Sequence, residues 1–127
     1  MELLYPLKFH PVYKDYLWGG RNLSRFGKQL PEGKVAESWE LACHADGMSV
    51  VKNGIFEGRT LKSLMDEFGS EITGDLSGNS TDFPLLIKLI DANDKLSVQV
   101  HPDDEFARQH EGDNGKNEMW YILDAKP

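Results

Sequence analysis

Lys95-Leu96-Ser97-Val98-Gln99-Val100-His101-Pro102-Asp103-Asp104 alternates without a break up to a proline. In an extended chain successive side chains point to opposite faces. Leu96, Val98 and Val100 therefore share an apolar face, expected to pack on a core or a second sheet. Ser97, Gln99 and His101 share the other, a hydroxyl, an amide and an imidazole in a row. Imidazole is the commonest nitrogen ligand of zinc-like ions, and the Gln side chain supplies a neutral carbonyl oxygen. Downstream, Lys116-Asn117-Glu118-Met119-Trp120 sets Lys116, Glu118 and Trp120 on one face of a second extended segment. Sheet pairing of the two segments is expected to add the Glu118 carboxylate to the same metal. Alternation alone also fits a plain histidine at a strand end, bonded to a carbonyl, with Gln99 in solvent.

Outward from this stretch, Phe83 to Asp91 is dense in apolar residues and reads as a buried strand, a pattern a buried helix also fits, and Ala92-Asn93-Asp94 as a turn. Pro102 stops the Leu96–His101 strand, and Asp103 or Asp104 caps a short helix running to Gln109. Gly112 to Gly115 turns the chain, and Glu118 to Leu123 forms a last strand. Toward the front, Leu3-Tyr5-Leu7-Phe9 alternates like a strand that His10-Pro11 ends. Trp18-Gly19-Gly20 is a turn, and Arg21 to Phe26 a short helix with Gly27 at its C-cap. Lys28 to Lys34 is a polar loop. Glu37 to Ala42 and Met48 to Val51 read as strands around a turn at Asp46-Gly47, and Asn53-Gly54 as a hairpin turn. Thr60 caps a helix whose Leu61, Leu64, Met65 and Phe68 share one face, ended by Gly69. Gly74 to Asp82 reads as loop. The pattern is a strand-rich single domain with a few short helices inserted, and the abrupt stop after the last strand suggests the front of a longer protein.

The chain has 127 residues, 39% apolar and 28% charged, with a net charge of -7. That size and composition suit one modest soluble domain. The acidic balance disfavours nucleic acid and anionic membrane as partners, while a phosphorylated small molecule remains compatible through local cations. Cys43 is the single cysteine, so no internal disulfide and no thiolate metal motif is expected. With no signal-peptide pattern and no run near the ~20 apolar residues of a membrane span, a cytoplasmic location is expected.

Phe83-Pro84-Leu85-Leu86-Ile87-Lys88-Leu89-Ile90-Asp91-Ala92 followed by Leu96-Ser97-Val98-Gln99-Val100-His101-Pro102-Asp103 closely resembles the signature of type I mannose-6-phosphate isomerases (phosphomannose isomerases). Lys116 to Leu123 resembles that family's next motif. Tyr16-Leu17-Trp18-Gly19-Gly20 and Ala36-Glu37-Ser38-Trp39-Glu40 resemble its two N-terminal motifs, all in the family's order. The resemblance implies a mainly β, cupin-type (jelly-roll-like) barrel, here incomplete, with residues 1–127 as its N-terminal part and no separate second domain. It implies interconversion of mannose 6-phosphate and fructose 6-phosphate through an enediol, with one Zn²⁺ per complete site. It assigns Gln99, His101 and Glu118 to the metal and Trp18, Ser97 and Lys116 to the substrate pocket, with Glu37 at a pocket acid. The family's fourth ligand, a second histidine, and its pocket arginine lie downstream of where this sequence stops.

Isomerisation moves a proton between C1 and C2, so it needs a base and a group that stabilises the negative oxygen. Glu37, Lys116 and a metal-bound water are the candidates for the base. Each residue also has a plainer reading: Trp18 as a cover for the barrel end, Glu37 as a surface acid, Ser97 as a sheet hydroxyl. His10, His44 and His110 lack metal-like spacing and read as structural or solvated, as does the Arg108 helix face. A non-catalytic metal- or sugar-binding cupin module is the alternative function. An iron dioxygenase cupin fits less well, because it wants more than one histidine close together. Open sheet edges are expected to favour self-association.

Overall fold

A computed structural model describes residues 4–74 and 83–126. The chain forms two compact units, Met1–Leu96 and Ser97–Pro127. Among the described residues the first holds every strand: β1 (Phe9–His10), β2 (Val12–Lys14), β3 (Glu37–Leu41), β4 (Cys43–His44), β5 (Gly47–Met48), β6 (Val50–Val51) and β7 (Ile87–Ile90). It also holds the helices α1 (Leu61–Phe68) and α2 (Ser70–Thr73) and two 3-10 turns, Asn22–Phe26 and Gly54–Phe56. The second unit holds α3 (Asp104–His110). Among the described residues no helix is long and apolar enough to cross a membrane.

The main sheet is antiparallel in the order β2-β3-β7, with Lys14 and Ile90 on either side of Glu37 and Val12 and Lys88 on either side of Trp39. β1 pairs with β6 and β4 with β5, both antiparallel. The expected strand from Met48 to Val51 breaks at Ser49, which is buried. Its backbone N–H donates to the Ala42 carbonyl at 2.9 Å, and its hydroxyl accepts from the Ala42 N–H at 2.9 Å. The Trp39 indole comes close to the chain at Gly47. A Cβ there would meet the ring at 2.6 Å.

The helix α1 follows its sequence closely. Thr60 is extended and its side chain accepts from the Ser63 N–H, which satisfies one of the free donors of the first turn. Leu61, Leu64 and Met65 turn one face inward, and the Gly69 N–H closes the end on Met65. Leu64 meets Val51 and Phe56, with Leu4, Tyr5, Leu7, Phe9, Phe68 and Ile72 packed around them. Thr60→Ala is expected to destabilise the chain by about 1 kcal/mol, read as a lower urea midpoint at unchanged slope. An unchanged midpoint would show that packing alone holds the helix start.

Four expectations change. Residues 4–8 form no strand, and Leu3 of the expected one lies outside the described residues: Pro6 has no N–H to give a ladder, and Leu4, Tyr5 and Leu7 instead pack on the core cluster. Asn53-Gly54 is no two-residue hairpin. The Asn53 side chain accepts from the Lys8 N–H at 2.7 Å and donates to the Pro6 carbonyl at 3.1 Å, so it staples the N-terminal segment down. The apolar run before Asp91 gives only the short β7, with Leu85 and Leu86 in coil and exposed, because β7 is an edge strand of its sheet. Leu96–His101 and Glu118–Leu123 are coil, not strands. No described strand offers them hydrogen-bond partners, and Val98 and Val100 are exposed rather than packed. The Gly/Ser/Asn-rich stretch after Gly74 lies outside the described residues.

Candidate functional site

The Ser97–Pro127 unit is built around the cap of α3. Asp103 is extended and accepts from the Phe106 N–H at 2.8 Å. The next carboxylate, Asp104, accepts from the Gly115 N–H at 3.0 Å, and the Lys116 N–H donates to the Pro102 carbonyl at 3.1 Å. Only glycine fits at 115, since a Cβ would meet the Asp103 carbonyl carbon at 2.4 Å. This clamp folds the segment after the turn back on the Pro102 corner without any sheet pairing.

Its result is a close group of side chains. His101 Nε2 lies 3.1 Å from Glu118 Oε2, and Lys116 Nζ lies 2.6 Å from the same oxygen. The Trp120 indole N–H donates to Glu118 Oε1. Lys116, Glu118 and Trp120 thus act on one side, as their spacing predicts, although in coil. Gln99 donates its amide N–H to the Ser97 hydroxyl at 3.1 Å, which fixes the amide and leaves its carbonyl oxygen unused by that bond. Arg108 pairs with Asp104 at 3.4 Å, and His110 stacks on Phe106 at 4.3 Å, both on the solvated helix face.

This donor set fits a divalent ion in chemistry and in spacing. Two ligands at Zn–N and Zn–O lengths in a tetrahedral arrangement stand about 3.3 Å apart. The 3.1 Å between His101 Nε2 and Glu118 Oε2 is close to that. Among the described residues no group of three or more His, Cys, Asp or Glu is placed to hold a metal ion.

The Lys116 hydrogen bond and that of the Trp120 indole hold the Glu118 carboxyl down to about 2, assisted by the charges of Lys116 and His101 and opposed by burial. A carboxyl lowered by folding adds stability above its unfolded range and loses it as pH falls through the folded value. The group therefore stays anionic at every pH where metal ligation matters, and its stabilising effect fades only between about pH 4 and pH 2. Lys116→Met is expected to raise the Glu118 pKa, read by ¹³C NMR of the carboxyl. If the His101–Glu118 pair holds a divalent ion, the same variant removes a like charge from beside it, and roughly three- to tenfold tighter metal binding is expected in a chelator competition. An unmoved carboxyl would show that Lys116 does not govern it.

In the Met1–Leu96 unit Glu37 is no surface acid. It is 5% exposed. Lys88 Nζ lies 2.9 Å from Glu37 Oε1, and the Trp39 indole donates to Oε2 at 2.6 Å. Lys14 lies over the Trp39 ring, 4.5 Å from its centre. Burial first, then the negative charges of Glu37, Asp46 and Asp15, raise the Tyr16 phenol. Trp18 is half-buried and lies tilted on Tyr16, with ring centres 5.7 Å apart. Lys88 and Asp91 were not singled out from sequence. A lysine and an aspartate inside an apolar run were the available signal, since buried charges need partners.

The sequence profile of the phosphomannose isomerase type I catalytic domain matches residues 6–125. The chain belongs to that family. It is 48% identical over 122 residues to mannose-6-phosphate isomerase ManA of Bacillus subtilis (strain 168), covering 95% of this chain and 38% of the relative. It is 46% identical over 121 residues to mannose-6-phosphate isomerase of Streptococcus mutans serotype c, covering 94% of this chain and 37% of the relative. The crystal structure of the mannose 6-phosphate isomerase from Bacillus subtilis matches with a TM-score of 0.85 at 42% identity, over 95% of this chain and 38% of that one. The chain thus spans about two-fifths of the length of these phosphomannose isomerase relatives.

Proposed function

We propose that this chain carries the front part of the site of a metal-dependent isomerase interconverting mannose 6-phosphate and fructose 6-phosphate. The approach of His101 to Glu118 within the QVHPDD and KNEMW segments is the observation that carries this reading. Both units are read as one cupin-type β domain, which the profile match across residues 6–125 supports. Gln99, His101 and Glu118 would hold the ion, proposed as zinc because the His101 imidazole suits it among divalent ions.

A divalent ion there supplies Lewis-acid stabilisation to the oxygen that becomes negative in an enediol. The chain's own residues do the rest. Lys116 presents an ammonium donor beside the ligand oxygen, placed for a sugar hydroxyl or phosphate. Ser97 orients the Gln99 amide. Trp18 offers an apolar wall that excludes water, and Glu37 and Lys116 are the side chains proposed for proton transfer.

The test is a chimera in which this chain replaces the matching 122 residues of the B. subtilis ManA relative. It is expected to convert mannose 6-phosphate to fructose 6-phosphate and to lose that activity to a chelator. A folded chimera that neither binds metal nor turns over would overturn the reading. We also propose that this chain self-associates. Val98 is 99% and Met119 89% exposed, in segments with no described strand partner. Light scattering is expected to give a mass above the monomer, and a single monomeric peak rejects it.

A further inference from the structure

Asp91 is the buried charge that the site above leaves unexplained. It is 7% exposed and closes β7 on the side facing the Trp18 turn. Three hydrogen bonds converge on its carboxylate. The Asn22 backbone N–H donates to Oδ2 at 2.7 Å, the Asn22 amide to Oδ1 at 2.9 Å, and the Asn93 amide to Oδ1 at 2.6 Å. The first of these satisfies a free donor at the start of the Asn22–Phe26 turn, where no local side chain does so.

The same latch reaches Trp18 from its other end. The Asn93 N–H donates to the Trp18 carbonyl at 2.9 Å. Gly20 lies so close to Asn93 that a Cβ would meet its amide nitrogen at 2.2 Å. Gly20 is also bridged to Val35 by hydrogen bonds of 3.2 and 2.8 Å, and the Gly19 N–H closes the turn on Tyr16 at 2.9 Å. Residues 18–22 are therefore fixed between Val35 and the Asp91–Asn93 corner.

We propose that Asp91 is a positioning residue: through Asn22 and Asn93 it fixes the backbone of the Trp18 turn and so the place of the Trp18 indole. Its bearing on the sugar rests on the reading of Trp18 as a pocket wall. A carboxylate suits this task because both oxygens accept, whereas an amide turns a donor toward one of the three N–H groups.

The test uses this chain labelled with 5-fluorotryptophan, giving one ¹⁹F line each for Trp18, Trp39 and Trp120, assigned by Trp18→Phe. In Asp91→Asn the Trp18 line is expected to shift and broaden while the Trp39 line stays in place. A Trp18 line unchanged in a folded Asp91→Asn overturns the proposal, and so does a common shift of all three lines. Should Asp91→Asn fail to fold, Asn22→Ala removes one arm of the latch and must move the Trp18 line alone. Addition of mannose 6-phosphate separates the two ideas. A parent Trp18 line that ignores the sugar overturns Trp18 as a sugar contact, while the latch stands or falls on the Asp91→Asn spectrum.

Discussion

His101→Ala is expected to weaken divalent-metal binding by more than about 100-fold. Loss of an outer-shell partner alone costs 10–100-fold, and His101 is proposed to bind the ion directly. The imidazole lies 3.1 Å from Glu118 Oε2, near the spacing of about 3.3 Å expected for two ligands of one zinc ion. With alanine there, Glu118 keeps its bonds from Lys116 and Trp120 and stays anionic, so the carboxylate survives without its nitrogen partner. Elemental analysis after dialysis, with parent and variant side by side, reads the result. Near-stoichiometric zinc in the parent and none in the variant supports the site. Equal zinc in both would place the ion elsewhere, and the proposed ligand set would fail. His110→Ala, on the helix face against Phe106, is the control expected to change nothing.

What the sequence made legible was local. The α1 helix could be read from Thr60, the Leu61-Leu64-Met65 face and Gly69, because cap and face lie within one short segment. The same holds for Asp103 and α3. Features that depend on distant partners were not legible. Asn53-Gly54 has the residues of a hairpin turn, yet Asn53 spends its side chain on Lys8 and Pro6, more than forty positions away. Leu96–His101 has a strand's alternation, but a strand exists only where another chain segment takes its hydrogen bonds. The approach of His101 to Glu118 was expected from sheet pairing, and it arises instead from Gly115 packed on the α3 cap. The approach is present, and its scaffold differs from the expected one. The site's chemistry is written in side-chain types, and its support in contacts that alternation does not encode.

Glu37 shows why position matters as much as identity, and it carries the second large effect. Glu37→Ala is expected to destabilise the chain by about 3 kcal/mol. Breaking a buried ion pair costs 3–5 kcal/mol, and the lower end applies because the Lys88 side chain is 22% exposed. The variant leaves the Lys88 ammonium without its carboxylate and the Trp39 indole N–H without an acceptor. Glu37→Gln keeps the shape and an acceptor for Trp39, so it should cost less. The decisive comparison is Glu37→Gln with Lys88→Met, singly and together, by urea unfolding. The double variant is expected to lose clearly less than the sum, since each single change leaves one charge of the pair without its counter-charge and the double leaves neither charge. Additivity within about 0.5 kcal/mol would show that the pair is not coupled. The same set separates folding from chemistry in the ManA chimera. If Glu37 transfers the proton, Glu37→Gln abolishes turnover even where the variant is fully folded, and Lys88→Met does not rescue it. If Glu37 only holds the sheet, activity follows stability through all three variants.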